Sequence, residues 1–289
     1  MIINFFTMKL FDGKKVAQKI LKELSEEIKK AKIKPRLAVI LVGDDSSSKL
    51  YIKLKKEAAQ KVGIEFEEYL FGALTKEVEI INKINELNKD QTVSGIIVQL
   101  PLPAVLNTDK IIEAIDPEKD VDGFHKENRR LLEKNKETFL PVLPLVILTA
   151  LDSAKKLIAG KNVLALVNSD IFGQSLKIIL TREGFAVDYL VRNTCVLFGS
   201  EKKLKEVDIL ISVCGCPNMI KGESIKDGAI LIDAGITRYH DGKVIGDIDQ
   251  ESVKNKAAFL TPVPGGIGPL TVALLLRNVY LAAENLAKK

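Results

Sequence analysis

The stretch "VLALVNSDIFGQSL", residues 163–176, decides the fold. "VLALV" is a short apolar run of strand character, and apolar residues at helical spacing follow after a tight turn. A strand turning directly into a helix is where a dinucleotide-binding sheet sets its phosphate loop, because the unpaired N–H groups of the helix N-terminus attract anions. The turn holds one glycine, Gly173, where such loops usually carry two or three.

Outward from this stretch the same alternation repeats. After it come "FAVDYLV", "VDILISV" and "GAILIDA", read as strands, and a final helix from Leu270 to Lys289 with no strand beyond it. Before it, "KKVAQKILKELSEEIKK" has Val16, Ile20, Leu21 and Leu24 on one helical face, and "RLAVILV" reads as a buried strand. "GDDSSS" is a turn that can cap a helix from about Lys49 to Val62; "IEFEEYLF", a helix from Lys76 to Asn88 and the strand "SGIIVQL" follow. Strands alternating with helices predict two α/β domains, the second a Rossmann-like doubly wound parallel sheet. The charged, weakly patterned segment from Glu127 to Thr138 reads as a linker. Residues 1–140 with 270–289 are therefore assigned to one domain, the last helix returning to it, and 141–269 to the other.

The 289 residues can bury a substantial core, and 46% hydrophobic with 28% charged content excludes a disordered chain. A net charge of +5 spread along the sequence suits an anionic small molecule but lacks the concentrated basic face of a nucleic-acid binder. No apolar run approaches the ~20 residues of a membrane span, so no membrane partner is expected. The start "MIINFF" has no basic n-region, and a second methionine, Met8, opens a more ordinary "MKLFDGKK". Three cysteines, Cys195, Cys214 and Cys216, predict reduced thiols and a cytoplasmic protein. The two histidines, His125 and His240, are not at ligand spacing to the Cys-x-Cys pair, so no metal is expected, and neither has the partners of a nucleophilic triad.

Four constellations can carry chemistry. Tyr51 and Lys55 of "YIKLKK" share a helix face one turn apart, and a lysine lowered by burial can transfer protons; in a lysine-rich segment it can equally be solvated. Gln99 of "VQLPLP" closes a strand before Pro101 and Pro103, at the end of the sheet that faces the ligand crevice; a solvated Gln on a proline-stiffened loop is the plain alternative. "DPEKDVDGFHKEN" gathers Asp116, Asp120 and Asp122 before a glycine, a turn or cap pattern. "TPVPGGIGPLT" packs three prolines and three glycines into eleven residues, a stiff ribbon with approachable backbone that ends in Pro269 at a helix start.

Together "LFDGKKVAQKI", "YIKLKKEAAQKVGI", "GIIVQLPLP", "KDVDGFH", "GAILIDAGIT" with "GDID", and "TPVPGGIGPLT" closely resemble the methylenetetrahydrofolate dehydrogenase/cyclohydrolase family almost end to end. The resemblance implies oxidation of 5,10-methylenetetrahydrofolate to the methenyl form with NADP, NAD being the other dinucleotide considered, and then hydrolysis to 10-formyltetrahydrofolate in the same pocket. It implies that Lys55 handles protons, Tyr51 stacks on the folate, Gln99 tunes Lys55 and Asp122 holds the pterin edge. It further implies that Val98, Leu100 and the ribbon residues Pro264, Gly265, Gly266 and Pro269 line the folate site, that Ile236 approaches the cofactor, and that the protein is a homodimer.

The sequence departs from the family pattern on the dinucleotide side. Val167, Asn168 and Ser169 stand where the family has "GRS", so the arginine expected to pair with the NADP ribose phosphate is missing. "PVLP", Pro141–Pro144, replaces "PCTP", and "HKENRRL" lacks a usual glycine. Ser169 and Gly173 remain, and Arg192 at the end of the next strand can supply charge to the adenosine ribose. The alternatives are a cyclohydrolase whose dinucleotide site has decayed and a folate-binding protein without catalysis.

Overall fold

A computed structural model describes residues 7–158, 160–192, 194–197, 199, 201–239 and 241–288, so His240 and the first six residues lie outside the description. In chain order the elements are β1 (Lys9–Leu10), α1 (Gly13–Ala31), β2 (Arg36–Val42), α2 (Ser46–Val62), β3 (Glu65–Phe71), α3 (Glu77–Lys89) and β4 (Gly95–Val98). Next come α4 (Thr108–Ile112), α5 (Lys126–Glu133), α6 (Val142–Ala154), β5 (Asn162–Val167), α7 (Asp170–Arg182), β6 (Ala186–Val191), α8 (Glu201–Glu206) and β7 (Ile209–Val213). The chain ends with β8 (Ile230–Asp233), β9 (Thr237–Arg238), β10 (Val244–Ile245), α9 (Gln250–Val253), β11 (Phe259–Leu260) and α10 (Ile267–Leu286).

The chain divides into two compact units. One comprises residues 17–142 and 271–289, the other residues 1–16 and 143–270. In the first, a parallel sheet of order β3-β2-β4 has β2 at its centre, with Ala38 opposite Ile96 and Ile40 opposite Val98. All but the first residue of β2 is buried, which is why "RLAVILV" is continuous rather than alternating. Its Ala38, Ile40 and Val42 side chains pack with Ile80, Ile84 and Leu87 of α3. Asp45 caps α2 by accepting from the Ser48 N–H at 2.7 Å, so that helix starts three residues before the expected Lys49.

The second unit holds a six-stranded sheet of order β1-β11-β8-β7-β5-β6, every neighbouring pair parallel. The chain runs from β5 to β6 on one side, then crosses to β7 on the other, so the order reverses at β5, the switch point of a doubly wound sheet. Residues 1–140 were assigned to the first unit as a block, but β1 pairs with β11 in this sheet and the buried Phe11 ring lies 6.0 Å from that of Phe259. Two-residue strands such as β1 and β11 carry too little periodicity to be seen beforehand.

Two further expectations are corrected. The segment taken as a linker is the helix α5, whose N-terminus His125 caps by accepting from the Glu127 N–H at 3.0 Å and which buries Leu132. The expected reduced thiols include a bonded pair: Cys195 and Cys216 form a disulfide, leaving Cys214 free among the described cysteines. Residues 21 apart meet because the segments after β6 and β7 converge. The last helix is also more apolar than expected. By length and composition α10 could cross a membrane, yet 67% of that window is buried inside the protein, and Asn278 donates from it to the carbonyls of Val121 and Leu140 at 2.9 and 3.0 Å. That is the environment of a core helix.

Candidate active site

In the first unit, α2 carries Tyr51 and Lys55 one turn apart, Tyr51 half-buried and Lys55 only 8% exposed. The Lys55 ammonium donates to Gln99 Oε1 at 2.9 Å. Gln99 follows directly on β4: its N–H donates to the Ile40 carbonyl at 2.8 Å, and its amide donates to the Leu100 carbonyl at 2.8 Å. These bonds fix the amide with its oxygen toward Lys55. Val98 is buried and Leu100 half-buried beside it, and the Leu100–Pro101 peptide is cis.

Asp122 is placed by the chain that runs along β4. The Ile96 N–H donates to the Lys119 carbonyl at 2.7 Å, and Ile96 bridges Asp120 in parallel register. The buried Asp120 carboxylate accepts from the His125 N–H and the Asn128 amide, at 2.7 and 2.9 Å, which holds the turn. Gly123 has φ +81°, and a Cβ there would stand 2.8 Å from the Pro141 backbone, so this turn requires glycine.

Burial pushes the Lys55 amine below the ordinary lysine range, and the attraction of Asp122 opposes that shift. Burial pushes the Asp122 carboxyl up to about 6; Lys55 pulls it down and Asp120 pushes it further up. Burial thus favours the uncharged form of both groups relative to solvated ones, which suits the Lys55 amine to proton transfer. Lys119, by contrast, spends its three N–H bonds on the carbonyls of Leu87, Asn88 and Asp90, a structural cap on α3.

In the second unit, Val167 ends β5, Asn168 is exposed, and Ser169 caps α7 by accepting from the Phe172 N–H at 3.5 Å. Gly173 is buried: a Cβ there would meet the Tyr189 ring at 2.4 Å. The Tyr189 hydroxyl donates to Asp170 at 2.8 Å, and Gln174 donates to the other oxygen of that carboxylate at 2.7 Å. The Arg192 N–H donates to the Val167 carbonyl at 2.7 Å, while its buried Nε has no hydrogen-bond partner among the described residues. Ile236 is partly exposed after β8. Pro264, Gly265, Gly266 and Pro269 also belong to this unit, which separates them in the chain's organisation from Lys55 and Gln99. Val263–Pro264 is cis, Gly265 has φ +107°, and a Cβ at Gly13 would stand 1.8 Å from the Gly266 carbonyl oxygen, so the ribbon lies directly on the start of α1.

Sequence reasoning missed two buried carboxylates under the sheet's C-terminal edge. Asp247 accepts from the Ser212 hydroxyl (2.7 Å) and from the N–H groups of Cys214 (2.8 Å), Gly215 (3.3 Å) and Cys216 (2.6 Å), and so fixes the turn after β7. Asp233 accepts from the N–H groups of Gly235, Asp247 and Ile248, and burial pushes its carboxyl up to about 7 against those donors. Gly235 and Gly246 sit where a Cβ would collide with these carboxylates at 2.1 Å. "DAG" and "GDI" around the two aspartates were the available signal: small residues flanking acids that serve backbone donors.

Residues 11–122 match the model of the tetrahydrofolate dehydrogenase/cyclohydrolase catalytic domain, and residues 141–287 match that of its NAD(P)-binding domain. The bifunctional protein FolD of Nautilia profundicola is 41% identical over 285 residues, covering 98% of this chain and 99% of that one. The crystal structure of the bifunctional FolD enzyme from Campylobacter jejuni superposes with a TM-score of 0.89 at 38% identity, covering 96% of this chain and 99% of that chain. The Trypanosoma brucei FolD structure, complexed with NADP cofactor and inhibitor, gives a TM-score of 0.91 at 29% identity, with 98% and 99% covered. The chain belongs to the tetrahydrofolate dehydrogenase/cyclohydrolase family.

Proposed function

We propose that the protein oxidises 5,10-methylenetetrahydrofolate to the methenyl form with a nicotinamide dinucleotide and hydrolyses the product to 10-formyltetrahydrofolate. The observation that carries this reading is a buried amine held on a fixed amide oxygen: Lys55 on Gln99. A methenyl cation is already electrophilic, so hydrolysis needs only water and a group that moves protons. Water adds to the one-carbon bridge and gives a proton to the neutral Lys55 amine. The bond from that carbon to one ring nitrogen then breaks, the nitrogen takes a proton from Lys55, and the hydroxyl loses its own as the formyl carbonyl forms. One proton is released overall. Gln99 keeps the amine aimed, and Asp122, whose carboxyl titrates at about 6, is suited to bind the edge of the pterin. Tyr51, half-buried one turn away, offers a ring for stacking; Val98, Leu100, Pro264, Gly265, Gly266 and Pro269 complete the assignment on the folate side.

The second unit fits a dinucleotide. The α7 N-terminus is capped by Ser169, Gly173 leaves room only for its hydrogen beside Tyr189, and Arg192, directly after β6, has a buried nitrogen without a partner among the described residues. When bound, the dinucleotide supplies the hydride acceptor. Val167, Asn168, Ser169, Gly173 and Ile236 would hold it, and Arg192 would read the adenosine ribose. We assign NADP on the strength of Arg192, which stands in for the arginine replaced by Asn168; a homodimer is part of the same reading.

The test is methylenetetrahydrofolate oxidation by the pure protein with NADP or NAD. Arg192→Ala should raise the KM for NADP about tenfold or more, as loss of a charge-assisted phosphate contact does, and change that for NAD by less than about twofold. Absence of dinucleotide reduction, with hydrolysis of the methenyl form intact, would leave the cyclohydrolase alone.

A further inference from the structure

We propose that Cys195 and Cys216 form a redox latch over the base-binding end of the dinucleotide groove, shut as a disulfide and open as two thiols. The proposal rests on the reading that a dinucleotide binds at the β5–α7 turn, and it concerns residues that reading does not use. β6 and β7 flank β5 on opposite sides. Neighbouring strands lie ~4.8 Å apart, so the ends of β6 and β7 stand ~9.6 Å apart across the end of β5, where a doubly wound sheet holds its ligand. The disulfide joins the segment after β6 to the turn after β7 and so spans the crevice at that point, with its Cα atoms 5.2 Å apart. A flat base lying between two walls needs a van der Waals contact of ~3.5 Å on each face, ~7 Å in all. The bonded pair, with 5.2 Å between its Cα atoms, leaves less than that where it crosses.

The two halves of the latch are unequal. Asp247 holds the Cys214–Cys216 turn through three backbone N–H groups, so the turn is a fixed jamb. Cys195 is exposed while Cys216 is buried. Cys195 is therefore the sulfur that an external reagent reaches. Closing proceeds by exchange with a low-molecular-weight disulfide. The Cys195 thiolate attacks one sulfur of the reagent, whose S–S bond breaks and whose other half leaves as a thiol. The Cys216 thiolate then attacks Cys195 in the mixed disulfide and releases the second thiol. Two electrons pass from the cysteines to the reagent, and a dithiol reverses both steps. Cys214 is not part of the bonded pair, and burial and Asp247 push its thiol up.

Full-length protein would be poised with oxidised glutathione or with dithiothreitol, freed of reagent, and its thiols counted by alkylation and mass spectrometry. NADP binding would be measured by calorimetry, and hydrolysis of the methenyl substrate assayed without dinucleotide. The latch predicts two more alkylated cysteines after reduction, NADP binding at least about tenfold tighter in the reduced form, and hydrolysis equal in both forms within about twofold. Cys195→Ser should bind NADP as the reduced protein does under either condition. Equal NADP affinity at verified thiol counts, or three free thiols after oxidation, would overturn the latch alone. A Cys195→Ser chain that neither binds nor reduces any dinucleotide would overturn the functional reading, and the latch with it.

Discussion

Lys55 sits four residues after Tyr51 on a helix whose Lys49, Lys53 and Lys61 are exposed, and only its neighbours distinguish it. Its amine is buried and bound to Gln99, whereas Lys53 on the same helix is exposed. Burial lowers the Lys55 pKa and Asp122 raises it, so removing the carboxylate should lower it further. Hydrolysis depends on the unprotonated amine and rises with pH through this pKa. In Asp122→Asn the rising limb of the pH–rate profile should therefore move to lower pH, whatever activity remains; a move to higher pH contradicts the assigned coupling. The spacing of Tyr51 and Lys55 and the strand-end position of Gln99 were legible in the sequence because each has a fixed place on a helix or at the edge of a sheet. Asp233 and Asp247 were not, because their partners are backbone N–H groups, which no residue pattern displays.

Among the elements, the β5–α7 turn was visible in "VLALVNSDIFGQSL" because an apolar run of five and a helical repeat meet there. The crowding at Gly173 was not visible, since it depends on Tyr189 of the adjacent strand. Gly173→Ala places a methyl group against that ring, and the clash should cost about 1–3 kcal/mol of stability in denaturant unfolding. Adding Tyr189→Ala should recover part of the loss; purely additive losses would show that the two sites do not interact. Helix α5 was mistaken for a linker because Lys126–Glu133 buries a single residue, Leu132, and its cap is a histidine, which is not among the usual N-cap residues.

At the scale of the whole molecule, the two-unit α/β organisation followed from the alternation of strands and helices, while the placement of the N-terminus did not. Lys9–Leu10 joins the six-stranded sheet through backbone bonds, and two residues are too few to display a strand period. The proposed homodimer has a candidate surface at β3, an edge strand among the described residues of its sheet, where Leu70 is 68% exposed and Leu74, in the turn after it, 95%. Sedimentation should give twice the 31.9 kDa chain mass, falling to one chain in Leu70→Lys; a monomeric wild-type protein contradicts the dimer. The central claim, that a buried amine on a fixed amide moves the protons of hydrolysis, is tested most directly by the single-turnover rate of methenyltetrahydrofolate hydrolysis in Lys55→Met. That variant keeps the bulk of the side chain and removes its proton-carrying nitrogen. The account predicts a rate lower by about 100-fold or more, the usual scale of losing a general acid–base group, with NADP affinity unchanged. A rate within a few-fold of wild type would contradict it.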